Sequence, residues 1–98
     1  MVQADETLMK LLQPKYGTIY RLLILSGGDY VVLESLKGGS MLYRLDQDLK
    51  VVWESDFKTR MLCNMYVAPG DEVRIYDGYG EGRLNLLTGE VTDWVVTR

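Results

Sequence analysis

The 98-residue chain contains no histidine. That absence removes the usual general base of serine and cysteine hydrolases, the commonest zinc and iron ligand, and the ordinary charge switch near neutral pH. A single cysteine, Cys63, excludes an internal disulfide framework and agrees with a reducing compartment. No run of eighteen apolar residues is present that could cross a bilayer as a helix. Eleven basic against fourteen acidic side chains give a net charge of -3, so no basic footprint for nucleic acid or anionic lipid is expected. The N-terminal stretch MVQADETLMKLLQPK carries Asp5 and Glu6 where a secretory signal would carry Lys or Arg. A soluble, cytoplasmic protein is therefore expected, binding neither nucleic acid nor membrane and requiring no cofactor or metal.

What is present is a globular composition, 47% hydrophobic and 26% charged, at the size of a single domain spanning residues 1–98. Leu8, Leu11 and Leu12 share one face of a short helix over residues 4–13; Asp5 and Thr7 stand at its first turn, and Pro14 ends it. From Thr18 onward the apolar period falls to two, and Gly, Asp and Ser punctuate the chain. TIYRLLILS, YVVLESL, MLYRLD and LKVVWES form a first β unit over 18–56, and MLCNMYV, EVRIYD, RLNLL and VTDWVV a second over 61–97. Eight short strands at roughly ten-residue spacing predict an all-β fold of two four-stranded antiparallel meanders.

The two units are related in sequence. Shifted by 42 positions, Gly28 falls on Gly70, Asp29 on Asp71, Val31 on Val73, Gly38 on Gly80, Leu42 on Leu84 and Leu45 on Leu87. A one-residue deletion in the last turn then brings Trp53 onto Trp94. A unit of 42 residues closing on LDQDLKVVW or LLTGEVTDW resembles a β-propeller blade, most closely the tryptophan-docking, PQQ-type repeat. Asp46, Lys50 and Trp53 match that pattern in the first copy, and Thr88, Gly89 and Trp94 in the second. Asn85 stands where the repeat has Asp, Leu49 where it has the turn Gly, and the Asp-to-Trp spacing differs by a residue. The resemblance implies a fold and carries no catalytic residue.

Alternation in the fourth strand places Leu49, Val51 and Trp53 on one face, with Trp53 inward, and Lys50, Val52 and Glu54 on the other. TIYRLLILS and MLCNMYV are nearly apolar on both faces, as in strands covered on each side. Two stacked four-stranded sheets cover only one face of each other, and propellers use about four to eight blades. Copies of the same chain are one source of cover, making the protein a homo-oligomer; a dimer would supply four blades. The alternative is a compact eight-stranded sandwich or barrel with the N-terminal helix plugging an open face.

Candidate binding residues are few. DGYGEG, residues 77–82, sets Asp77 and Glu81 among three glycines, an arrangement that suits an anion on backbone amides or a cation on carboxylates, and equally a plain hairpin turn. Tyr76 and Tyr79 beside it, with Arg83 beyond, offer an amphipathic surface. Arg21 and Asn64 interrupt the two apolar first strands at nearly equivalent places, where polar groups need partners. Cys63, in an apolar strand without a base beside it, reads as a buried, inert thiol. The chain thus reads as a non-catalytic interaction module or self-assembling scaffold with a possible protein partner; the alternative is a sugar- or anion-binding protein with sites between the units.

Overall fold

The computed structural model describes residues 2–3, 6–57, 62 and 64–96. Cys63, expected as a buried thiol, and Asp5, expected at the first turn of the helix, lie outside the described residues. The described residues form two antiparallel sheets, each a meander in which successive strands are neighbours. Sheet A comprises β1 (Val2–Gln3), β2 (Thr18–Ile24), β3 (Tyr30–Leu36), β4 (Gly39–Leu45) and β5 (Val51–Phe57). Sheet B comprises β6 (Asn64–Ala68), β7 (Glu72–Tyr76), β8 (Gly80–Leu84) and β9 (Val91–Val96). One helix, α1 (Glu6–Leu11), falls within the span expected from the leucine spacing. The two-residue β1, which pairs Val2 with Ile24 and Gln3 with Leu23, was not expected. No helix among the described residues is long and apolar enough to cross a membrane.

The sheets pack face to face and do not close into a barrel. Their shared core takes Leu23, Val31, Leu33, Leu42 and Trp53 from sheet A and Met65, Val73, Ile75 and Leu84 from sheet B, with Trp94 packed against it. Each fully buried aliphatic or aromatic side chain contributes about 1.5–3 kcal/mol, so this layer is the main source of stability. Three of the pairs aligned by the 42-residue shift do the same job: Val31 and Val73, Leu33 and Ile75, and Leu42 and Leu84 all enter one core, whereas Leu45 is buried in the outer layer of sheet A and its counterpart Leu87 is exposed.

Cross-strand pairing does not follow the same shift. Leu33 lies opposite Leu42, whereas Ile75 lies opposite Gly82 and Leu84 opposite Val73. A slip of two residues keeps every side chain on its face, and here it makes room for an indole. Trp94 lies across Gly80 and Gly82: a Cβ at Gly80 would stand 2.5 Å from Trp94 Nε1, and one at Gly82 2.5 Å from Trp94 Cε3.

The last turns of the two units use the same device despite their different residues. Asp46 Oδ1 accepts the amides of Asp48 at 2.8 Å and Lys50 at 2.9 Å. Asn85 Oδ1 likewise accepts those of Leu87 at 2.9 Å and Thr88 at 3.3 Å. Asn therefore replaces Asp without loss, since only a side-chain acceptor is needed. Leu49 takes φ 64° where the second unit has Gly89 at φ 80°, a left-handed conformation that costs a residue with a Cβ about 1–2 kcal/mol.

The outer faces are covered in different ways. That of sheet A is apolar, built on Leu22, Val32, Tyr43 and Leu45, and the N-terminal arm lies over it through Met9 and Leu12. That of sheet B bears Tyr66, Glu72, Arg74, Glu81 and Arg83. The sequence pattern of MLCNMYV had implied an apolar strand on both sides; Met65 is buried in the core while Asn64 and Tyr66 are only partly covered. Each outer face thus has its own character within one chain, and among the described residues β5 and β9 have no strand beyond them.

One expected alternation is interrupted. A β-bulge between Arg44 and Leu45 sets Trp53 opposite Arg44 but Val51 opposite Leu45. Because Leu45 belongs to the outer layer and Trp53 to the core, Val51 does not share a face with Trp53. Inserting one residue inverts the alternation beyond it.

Candidate functional site

The 77–82 loop is a tight hairpin between β7 and β8. Asp77 Oδ1 accepts the amides of Tyr79 at 2.9 Å and Gly80 at 2.8 Å, and the Asp77 amide donates to the Gly80 carbonyl at 3.1 Å. Gly78 holds φ 93°, the conformation the turn demands. The carboxylate that sequence reasoning placed in a ligand cradle thus closes its own turn. Tyr76 lies at the loop base, donating to the Gly78 carbonyl at 3.2 Å, and Tyr79 is exposed.

Glu81 and Arg83 point away from the loop into an ordered array of charges on the outer face of sheet B. Glu81 accepts the Tyr66 hydroxyl and pairs with Arg74 at 3.2 Å. Arg74 also pairs with Glu72 at 3.0 Å; Arg83 pairs with Glu72 and reaches Asp93 at 3.4 Å. The hydrogen bond to Glu81 is the main reason the Tyr66 hydroxyl titrates above its ordinary range. The array takes one or two residues from every strand of sheet B, so cross-strand geometry assembles it.

Arg21 and Asn64 meet each other: Arg21 Nε donates to Asn64 Oδ1 at 3.1 Å and joins β2 of sheet A to β6 of sheet B. Arg21 also donates to the Tyr20 carbonyl at 3.0 Å and stacks its guanidinium 4.3 Å from the Tyr20 ring centre. The seven candidates therefore fall into two places, five on and below the 77–82 hairpin and two at a bridge between the sheets.

A polar centre that sequence reasoning passed over lies under the arm. Glu34, on β3, is fully buried. Its carboxylate accepts the amides of Lys15 at 2.8 Å, Tyr16 at 3.0 Å and Gly17 at 2.7 Å, and the hydroxyl of Tyr43. Burial alone pushes the Glu34 carboxyl up, but the Tyr43 hydroxyl and the three amides outweigh it, and the net direction is down. Burial and the facing carboxylate push Tyr43 up. Tyr16 packs edge-on against Tyr43 with ring centres 6.1 Å apart and donates to Glu54, a bond that pushes its hydroxyl up to about 12. Gly17 is required because a Cβ there would run into the Ser35 carbonyl. The signal in the sequence was a lone carboxylate inside YVVLESL, a strand apolar on both faces, where an ion must find donors.

A third polar set ties the sheets together. Arg44 donates to Asp29 at 2.8 and 3.0 Å and to the Leu86 carbonyl at 2.8 Å, and Trp53 Nε1 donates to that same carbonyl at 2.8 Å. No protein-family profile matches the chain, and no curated protein or solved structure matches it significantly. Among the described residues, no three Cys, Asp or Glu side chains come together as a metal site would require.

Proposed function

We propose that the protein is a non-catalytic interaction module that associates through its sheet edges, either with copies of itself or with a protein partner. One observation carries this reading. Among the described residues each sheet ends in its unit's fourth strand with no neighbour beyond it, and those strands expose valines: Val51 and Val52 at 40% and 49% on β5, Val95 and Val96 at 56% and 69% on β9. An unpaired edge presents free amides and carbonyls, and apolar side chains beside them favour strand addition. Leu87, 81% exposed, sits on the loop whose Leu86 and Gly89 carbonyls hold Trp53 and Ser55, which extends the apolar surface beside β5.

Ligand binding at the 77–82 loop finds less support, because Asp77, Glu81 and Arg83 are each committed to partners within the chain. Blade-like stacking of copies on their sheet faces also finds less support, because the arm occupies one outer face and a charge array the other. Light scattering over a wide range of concentrations tests self-association: the mass should rise above the 11.2 kDa chain mass. A mass fixed at that value throughout removes the self-associating form of the reading.

A further inference from the structure

Between α1 and the beginning of β2 the arm does not seal against the sheet. A cleft of about 430 Å³ remains there, within the range of small-molecule sites. Its walls are apolar: Met9 and Leu12 from the arm, Pro14 from the turn and Ile19 from β2. Met9, Leu12 and Ile19 also pack on the outer layer of sheet A, so the cleft floor is continuous with a buried apolar surface.

Among the described residues, two side chains at this cleft carry polar groups. Lys10, in the last turn of α1, is exposed and makes no ion pair with any described carboxylate; Thr18 opens β2 with its hydroxyl uncommitted. The Gly17 amide at the same wall is already given to Glu34, whose charge is taken up by three amides and a tyrosine hydroxyl. An apolar slot whose mouth carries a lysine that no described carboxylate pairs complements a molecule with an apolar body and one negative head.

We infer that this cleft is a binding site for a small amphipathic anion, an acyl carboxylate in its simplest form, with the chain between Met9, Leu12, Pro14 and Ile19 and the carboxylate at Lys10 and Thr18. The arm that covers sheet A would then serve a second purpose as one wall of a ligand site, and its Glu34 anchor would fix the width of the slot.

Decanoate, below the concentration at which it aggregates, is the probe, followed by amide chemical shifts in a titration. Saturable shifts should centre on residues 9–19, decanol should bind more weakly, and acetate should not bind. Lys10→Ala, an exposed change that leaves the fold intact, should weaken decanoate about tenfold, the effect of one charged contact, while leaving decanol unchanged. Ile19→Phe, which narrows the slot, should weaken both. Absence of saturable shifts with decanoate, or shifts centred on the β5 and β9 edges, overturns the site. Equal decanoate affinity for Lys10→Ala and the parent overturns the assignment of the anionic head.

Discussion

Replacing Glu34 by Ala tests whether the buried carboxylate holds the arm in place. Four donors lose their acceptor: the amides of Lys15, Tyr16 and Gly17 and the Tyr43 hydroxyl. The three amides belong to an exposed segment and can return to water, so each forfeits only the net value of a hydrogen bond, about 0.5–1.5 kcal/mol. Tyr43 is buried, and its orphaned hydroxyl costs about 1–3 kcal/mol. Relief from burying an ion offsets part of this, which leaves a loss of about 3–5 kcal/mol, a large share of the stability of a small domain. The measurement is urea unfolding of both proteins at pH 7 and pH 3. In the parent, the folded Glu34 titrates below its ordinary value of 4.5. Its contribution is therefore complete above that pH and is lost as pH falls through the folded value. The gap between parent and Glu34→Ala should accordingly be wide at pH 7 and shrink at pH 3. A difference under about 1 kcal/mol at pH 7, or a gap that does not narrow in acid, refutes the anchoring argument.

Trp53→Ala should cost about 3–5 kcal/mol by core truncation, together with the bond from Nε1 to the Leu86 carbonyl; thermal unfolding measures it, and parent-like stability would mean the indole is not a core element. Gly82→Ala drives a Cβ into Trp94 Cε3 and should destabilise by about 1–3 kcal/mol through overpacking, with Trp fluorescence reporting the displaced indole. Leu49→Gly should raise stability by up to about 1 kcal/mol, as relief of the left-handed backbone exceeds the added entropy of the unfolded chain; a loss in chemical denaturation would contradict it. Asp77→Ala removes two turn bonds on an exposed hairpin and should cost no more than about 1–2 kcal/mol while leaving the circular dichroism spectrum unchanged.

Much of the fold was legible because it rests on short-range chemistry. The Gly-Asp turns, the inward Trp53 and the alternation of EVRIY follow from φ preference and strand period, which a sequence displays directly. Local patterns carry less about pairing. Nothing in the identities at a spacing of 42 says that Ile75 will face Gly82, since the slip depends on where the Trp94 indole finds space. The bulge that turns Val51 toward Leu45 was hidden for the same reason. For the candidate site, sequence supplied the residue types without their destinations. Asp77 and Glu81 are four apart in the chain, yet one closes a hairpin and the other joins Arg74 across the sheet. Arg21 and Asn64 were recognised as polar intrusions needing partners, and their mutual bond depends on how the two sheets stack. Glu34 went unnoticed because its partners are mainly backbone amides, which no residue identity announces.

The proposed association uses a sheet edge rather than a sheet face. Hydrogen exchange of the intact protein, compared at dilute and concentrated conditions, tests it residue by residue. Amides of β5 or β9 should gain protection on concentration, while those of residues 15–17 and of Arg74 and Tyr76 on the covered faces exchange at the same rates in both. Protection that appears over the arm and the outer charge array, with the β5 and β9 amides unchanged, contradicts the account.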